Sequence, residues 1–123
     1  MISYVTLGTN DFDRAETFFD ALLAELNINQ VMKTERMIFW GDGDGGTALS
    51  IVKPLDGEAA TVGNGVMVAL SAASREQVDR AYQRALDLGA RDEGAPGLRR
   101  QGFYVAYFRD LDGNKFNLFC ATP

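Results

Sequence analysis

The chain has 123 residues, of which 46% are hydrophobic and 24% are charged. These values indicate one folded domain and argue against a disordered or fibrous chain. The formal net charge of −5 argues against nucleic-acid binding, which needs a basic surface that displaces counterions.

Two residue counts limit the chemistry further. There is no histidine, so no imidazole is available for general base catalysis or for holding a metal ion. The single cysteine, Cys120, lies in a core-like strand, where a buried and inert thiol is expected. No apolar run is long enough to cross a bilayer and no signal peptide is recognisable, so we expect a cytoplasmic protein.

The first half predicts a strand, a helix and three more strands. Residues 2–7 alternate as in a strand, and Asn10 or Asp11 can cap the helix that follows. The helix has an apolar stripe at three- and four-residue spacing, formed by Phe12, Ala15, Phe19, Leu22, Leu23 and Leu26. The further strands are predicted at 31–33, 37–40 and 47–53, before a linker at 54–64 that contains glycine and proline.

The second half repeats this order. Residues 66–71 predict a strand, and Ser74 with Gln77 predicts a capping box for a second helix that ends at Gly89. Residues 91–100 are predicted to be largely irregular, with a short strand at most. The last segment predicts a hairpin, in which two alternating runs at 103–109 and 115–120 flank an Asp-Gly turn at 110–114.

Period-two alternation in this hairpin predicts one apolar face and one mixed face. The mixed face combines aromatic residues with Arg109, Lys115 and Asn117. Such a face often lines a cavity, although it can also be a solvated surface.

Aligning the halves indicates an internal duplication. An offset of 63 places Tyr4 on Met67, and a later offset of 67 places Ser50 on Asn117. The predicted organisation is a single domain made of two modules, 1–53 and 65–121, joined by the linker at 54–64.

With this repeat, the chain resembles the glyoxalase/bleomycin-resistance/extradiol-dioxygenase group, also called the vicinal-oxygen-chelate superfamily. The most similar segments are 2–15, 65–69 and 108–114, where Leu111 replaces the proline of the usual Asp-Pro-Asp-Gly-Asn turn. The resemblance implies an α+β fold, in which two βαβββ modules form a half-open eight-stranded barrel around a cleft. It also implies a homodimer.

Members with metal-dependent chemistry hold a divalent ion with His and Glu on the first and last strands of each module. The resemblance places Tyr4, Ser50, Met67 and Asn117 at these positions. A phenol, an alcohol, a thioether and an amide are not the donors that Zn²⁺, Fe²⁺ or Ni²⁺ requires. We therefore expect no metal and no other cofactor. These four residues either line a metal-free cleft or fill a cleft that has collapsed.

We predict a ligand cleft lined by Tyr4, Thr6, Ser50, Met67, Phe103, Tyr107, Arg109 and Asn117. The aromatic rings offer flat surfaces for a ligand, or they pack in the core or in a dimer interface. Arg109 could bind a carboxylate or a phosphate, or it could pair with Asp110 or Asp112.

Two functions remain open from the sequence. In the first, a dimer sequesters a small molecule without transforming it and has no nucleic-acid or membrane partner. In the second, a metal-independent lyase, isomerase or transferase acts on a small metabolite, with Tyr4 or Tyr107 as acid or base and Arg109 as oxyanion partner. Tyrosine, with an ordinary pKa of about 10, is a poor base at neutral pH, so binding is favoured and catalysis is left open.

Overall fold

The computed structural model describes residues 1–99 and 102–121. Within them lie two helices and eight strands, in the order β1 Tyr4–Gly8, α1 Phe12–Ala24, β2 Asn29–Lys33, β3 Met37–Gly41, β4 Ala48–Val52, β5 Val68–Ser71, α2 Arg75–Asp87, β6 Arg91–Leu98, β7 Tyr104–Arg109 and β8 Lys115–Cys120. Arg100, at the end of the segment predicted to be irregular, lies outside the described residues.

The strands form two sheets of four with the same topology. Their orders are β1-β4-β3-β2 and β5-β8-β7-β6. In each sheet the first strand pairs in parallel with the last, and the remaining pairs are antiparallel. The described strands do not close into a barrel, as expected of a half-open one. The βαβββ order occurs twice, so the structure confirms the predicted α+β fold class.

Local capping interactions explain where both helices begin. Asp11, rather than Asn10, is the N-cap of α1, and its carboxylate accepts a hydrogen bond from Arg14 N at 3.2 Å. Ser74 caps α2 in the same way, accepting from Gln77 N at 3.1 Å. Adding 63 to the bounds of α1 reproduces those of α2, as the repeat predicts.

The two halves share one apolar core. Phe19 joins them, because its ring centroid lies 5.5 Å from that of Trp40 in β3 and 5.5 Å from that of Phe116 in β8. All three side chains are 1% exposed or less. Burial of each contributes on the order of 1.5–3 kcal/mol. Phe19 of α1 therefore packs against strands of both sheets within one hydrophobic core.

The hairpin has the predicted face assignment. Tyr107 pairs with Asn117 and Arg109 pairs with Lys115, whereas Phe108 pairs with Phe116 on the opposite face. The connection is the five-residue loop 110–114, in which Gly113 adopts a positive φ of 92°.

The segment predicted to be largely irregular is instead the eight-residue strand β6, and this prediction was wrong. It lies at the sheet edge against β7, with register shifts between Asp92 and Gly94 and between Gly94 and Gly97. Bulged edge strands tolerate glycine and proline, because an edge needs fewer regular backbone hydrogen bonds. The same residues that suggested a loop therefore belong to a bulged strand.

Candidate functional site

In the first sheet, three predicted site residues lie on the face turned away from α1. Core residues such as Leu7 and Ile51 occupy the helix side, so Tyr4, Thr6 and Ser50 take the other face by alternation. Thr6 is the direct cross-strand neighbour of Ser50. Tyr4 is 52% exposed, whereas Ser50 is fully buried.

In the second sheet, Tyr107 and Asn117 are direct cross-strand neighbours on the face turned away from α2. Asn117 is buried, and its amide nitrogen donates to the carbonyl oxygens of Ala106 at 3.1 Å and Leu118 at 3.3 Å. Farther along this face the ring of Phe103 lies 4.8 Å from that of Phe119. This part of the face is therefore aromatic, and its buried amide is bonded to backbone.

Two adjoining pockets lie between β1, the segment 61–67 and the β7–β8 hairpin. One, of about 220 Å³, is lined by residues that include Thr6, Asn114 and Lys115. The other, of about 560 Å³, is lined by residues that include Met67, Arg109 and Lys115. Lys115 borders both, so the two form one region of the surface, which we call the hairpin pocket.

The hairpin pocket brings together three of the eight predicted site residues, Thr6, Met67 and Arg109. The other five are placed on the same two sheet faces but do not line it: Tyr4, Ser50, Phe103, Tyr107 and Asn117.

Lys115 was missing from the predicted site, although it borders both parts of the hairpin pocket. Its ammonium group lies 5.5 Å from the ring centroid of Tyr107, and the Arg99 guanidinium lies 5.9 Å from the same ring. The sequence did contain a signal for Lys115, because its spacing of two residues from Asn117 placed it on the mixed face of the hairpin.

Arg109 is held by groups other than those considered from the sequence. Its Nε donates to the carboxylate of Glu93 in β6, and its guanidinium also donates to the Gly113 carbonyl oxygen at 2.9 Å. Neither Asp110 nor Asp112 is its ion-pair partner among the described residues. The hydrogen bond from Arg109 lowers the pKa of Glu93 below its ordinary value.

The four positions that the resemblance assigns to metal ligands do not fit a transition metal. Tyr4 and Met67 are exposed, whereas Ser50 and Asn117 are buried. The buried Ser50 hydroxyl has no hydrogen-bond partner among the described residues. In residues 1–99 and 102–121, no three His, Cys, Asp or Glu side chains are grouped as metal ligands would be.

Comparison with known proteins identifies the family. The profile of the glyoxalase/bleomycin resistance protein/dioxygenase superfamily matches residues 1–118. The chain belongs to this superfamily. A glyoxalase/bleomycin resistance protein from Albidiferax ferrireducens T118 is similar over 99% of both chains, with 33% sequence identity and a TM-score of 0.92. The comparison with curated proteins found no match.

Two solved structures of lower sequence identity share the fold. The genomically encoded fosfomycin resistance protein FosX from Listeria monocytogenes has 22% identity and a TM-score of 0.73, over 99% of this chain and 93% of that chain. Lactoylglutathione lyase from Agrobacterium tumefaciens has 21% identity and a TM-score of 0.71, over 98% of this chain and 93% of that chain.

Neither helix in the described residues of the present chain is long and apolar enough to span a membrane.

Proposed function

We propose that the protein binds a small molecule in a cleft that holds no metal ion and sequesters this molecule rather than transforming it. The observation that carries the proposal is the chemistry of Tyr4, Ser50, Met67 and Asn117, which offer no imidazole, thiolate or carboxylate. Without such donors, an ion that polarises a substrate would have no ligands at these positions.

The hairpin pocket supports binding in preference to catalysis. Its walls include apolar and polar side chains, among them Met67 and Thr6, as expected of a small-molecule site. Among the described residues no carboxylate lines the pocket, and the chain has no histidine. The pocket therefore has neither an acidic side chain nor an imidazole to serve as a general base. A site with these groups can hold a ligand but is poorly equipped to move a proton.

The second candidate is a metal-independent lyase, isomerase or transferase. It is favoured by one observation, the position of the Tyr107 ring beside the cations Lys115 and Arg99. A phenol next to cations is the group that such an enzyme would use as acid or base, with Arg109 stabilising an oxyanion. Turnover of a hemithioacetal by the metal-stripped protein would reverse the order of the two candidates.

Metal content is the first test of the proposed function. We expect elemental analysis of the purified protein to show far less than one equivalent of Zn, Ni or Fe per chain. We also expect treatment with a chelator to leave the melting temperature unchanged, since no ion is held by the folded state. One equivalent of any of these metals, lost together with stability on chelation, would contradict the proposal.

A thermal-shift screen tests binding itself. A ligand that binds only the native state raises the apparent stability, so binding compounds should raise the melting temperature. The screen should contain aromatic, cationic and carboxylate-bearing compounds, because the site residues do not exclude any of them in advance. We also propose the homodimer that the family resemblance implies, and light scattering in solution tests it. The cytoplasmic location, which we expect from the sequence, stays a prediction.

A further inference from the structure

The charge of the hairpin pocket is opposite to that of the protein. The whole chain carries a formal net charge of −5. The charged residues that line the pocket are Arg109 and Lys115, and no described Asp or Glu lines it. The net charge of the whole chain would attract a cation. The two cations that line the pocket favour an anion instead, although the charge of Arg109 is partly offset by Glu93.

The two cations differ in how they are held. Arg109 is fixed by Glu93 and by the Gly113 carbonyl oxygen, so its guanidinium has a defined direction. Lys115 forms no salt bridge among the described residues and rests near the face of Tyr107. Its ammonium group has three donors, which can turn toward an incoming oxyanion. Lys115 is therefore the main charge available to a ligand, and Arg109 is the oriented second one.

Aromatic side chains continue from these cations along the same sheet face. Tyr107 is the next residue on this face after Arg109, and the Phe103–Phe119 ring pair lies beyond it. Phe119 is four residues from Lys115 in an extended strand, a distance of about 13 Å. The face thus changes from cationic to aromatic over the length of a small amphipathic molecule.

We propose that the hairpin pocket binds an oxyanion, a carboxylate or a phosphate, carried on an aromatic body. The anion contacts Lys115 and Arg109 in the pocket, and the aromatic body extends past Met67 along the sheet face toward Tyr107, which lies outside the pocket. This inference rests on the proposed binding function and adds the chemical class of the ligand.

Three probes with one aromatic body test the ligand class. Phenylacetate carries a carboxylate, phenyl phosphate carries a phosphate, and phenylacetamide is the neutral analogue. Calorimetric titration at low ionic strength should show that at least one anion binds tenfold or more tightly than the amide. The preferred anion shows whether the natural ligand is a carboxylate or a phosphate. Raising the salt concentration should weaken the binding of the anions and leave the affinity of the amide unchanged, because salt screens exposed charges.

Variants of two lysines locate the interaction. Lys115→Met should weaken binding of the preferred anion tenfold or more, and Lys115→Arg should retain most of it. Lys53→Met is the matched control, because both lysines place their ammonium group over an aromatic ring. Lys53 Nζ lies 4.9 Å from the Phe12 ring centroid, and Lys115 Nζ lies 5.5 Å from that of Tyr107. Both methionine variants change the net charge equally, so only the position of the lost charge differs. Circular dichroism should show that all three variants are folded.

The possible failures are distinguishable. Equal affinity for the anions and the amide would overturn the anion inference and leave the proposed binding function standing. An equal loss in Lys53→Met and Lys115→Met would overturn the assignment to the hairpin pocket. If neither these probes nor any compound of the wider screen binds, the anion inference and the binding function both fail.

Discussion

Thr9 donates its hydroxyl to Asp112 at 2.6 Å, and this hydrogen bond joins the β1–α1 connection to the turn of the last hairpin. The second carboxylate oxygen of Asp112 accepts from Asn10 N at 2.8 Å. Asn114 adds a third link, because its amide nitrogen donates to the Gly8 carbonyl oxygen at 3.0 Å. Gly8 and Asn114 both line the hairpin pocket, so these bonds help to set its shape.

Removal of the Asp112 carboxylate should destabilise the fold. Asp112→Ala removes the acceptor of the 2.6 Å hydrogen bond from Thr9, which is 3% exposed, and leaves the hydroxyl only the Asp11 carbonyl oxygen at 3.1 Å. A hydrogen bond to a charged group contributes about 1.5–3 kcal/mol, and we expect a loss in this range in urea unfolding. Asp56→Ala is the control, since Asp56 accepts only within its own surface turn, from Glu58 N at 2.9 Å. A similar loss in both variants would show that the link between the halves is unimportant.

Gln77 should be a second stabilising contact between the halves. It is buried, its oxygen accepts from Ala73 N at 2.6 Å, and its nitrogen donates to the Glu25 carbonyl oxygen at 3.0 Å. Gln77→Ala removes both of these hydrogen bonds, which should lower the free energy of unfolding by about 1–3 kcal/mol. The exposed Gln83→Ala, which removes a bond to Asp87 one helical turn away, should cost less than about 0.5 kcal/mol. Equal losses in denaturant would contradict this prediction.

Tyr82 should remain protonated in strongly alkaline solution. Burial raises the pKa of its phenol to about 12, and the hydrogen bond to Asp92 adds to the shift. Because the folded pKa lies above the ordinary value of 10.0, the associated stability is complete below pH 10 and is lost as the pH rises through about 12. Asp92→Asn should lower the pKa of Tyr82, as measured by NMR of labelled tyrosine.

Tyr104 provides the internal control in that titration. Its phenol donates to Asp79 at 2.6 Å, and this bond raises its pKa. Asp92→Asn should therefore leave the pKa of Tyr104 unchanged, whereas Asp79→Asn should lower it. A shift of both phenols in either variant would indicate a general conformational change.

Glu93 should report on the position of Arg109. Its pKa is lowered by the hydrogen bond from Arg109, so the associated stability is present above the ordinary value of 4.5 and is lost as the pH falls through the lower folded pKa. Arg109→Met should raise the pKa of Glu93, followed by NMR of the side-chain carboxyl carbon. Arg91→Met removes only a smaller attraction and should raise it less. An unchanged pKa in Arg109→Met would show that the pair does not form in solution.

Part of the candidate site was accessible from the sequence. Alternation placed Tyr107 and Asn117 on one face, because side chains in a strand alternate strictly and the Asp-Gly turn fixes which strands meet. The partner of Arg109 was not accessible. Glu93 lies in a strand whose register shifts near Gly94, and each bulge changes the face that the next side chain occupies.

The sequence by itself determined the two helices, the Ser74 cap of the second helix and the face assignment of the last hairpin, whereas it left the cap of the first helix open between Asn10 and Asp11. These features depend on contacts among residues close in the chain, whose periodicity is visible without coordinates. Only the tertiary structure decided that Thr6, Met67 and Lys115 border one pocket and that Arg109 is bound to Glu93. Those relationships depend on how two sheets pack around a shared core and on where an edge strand bulges, and neither is encoded in local spacing.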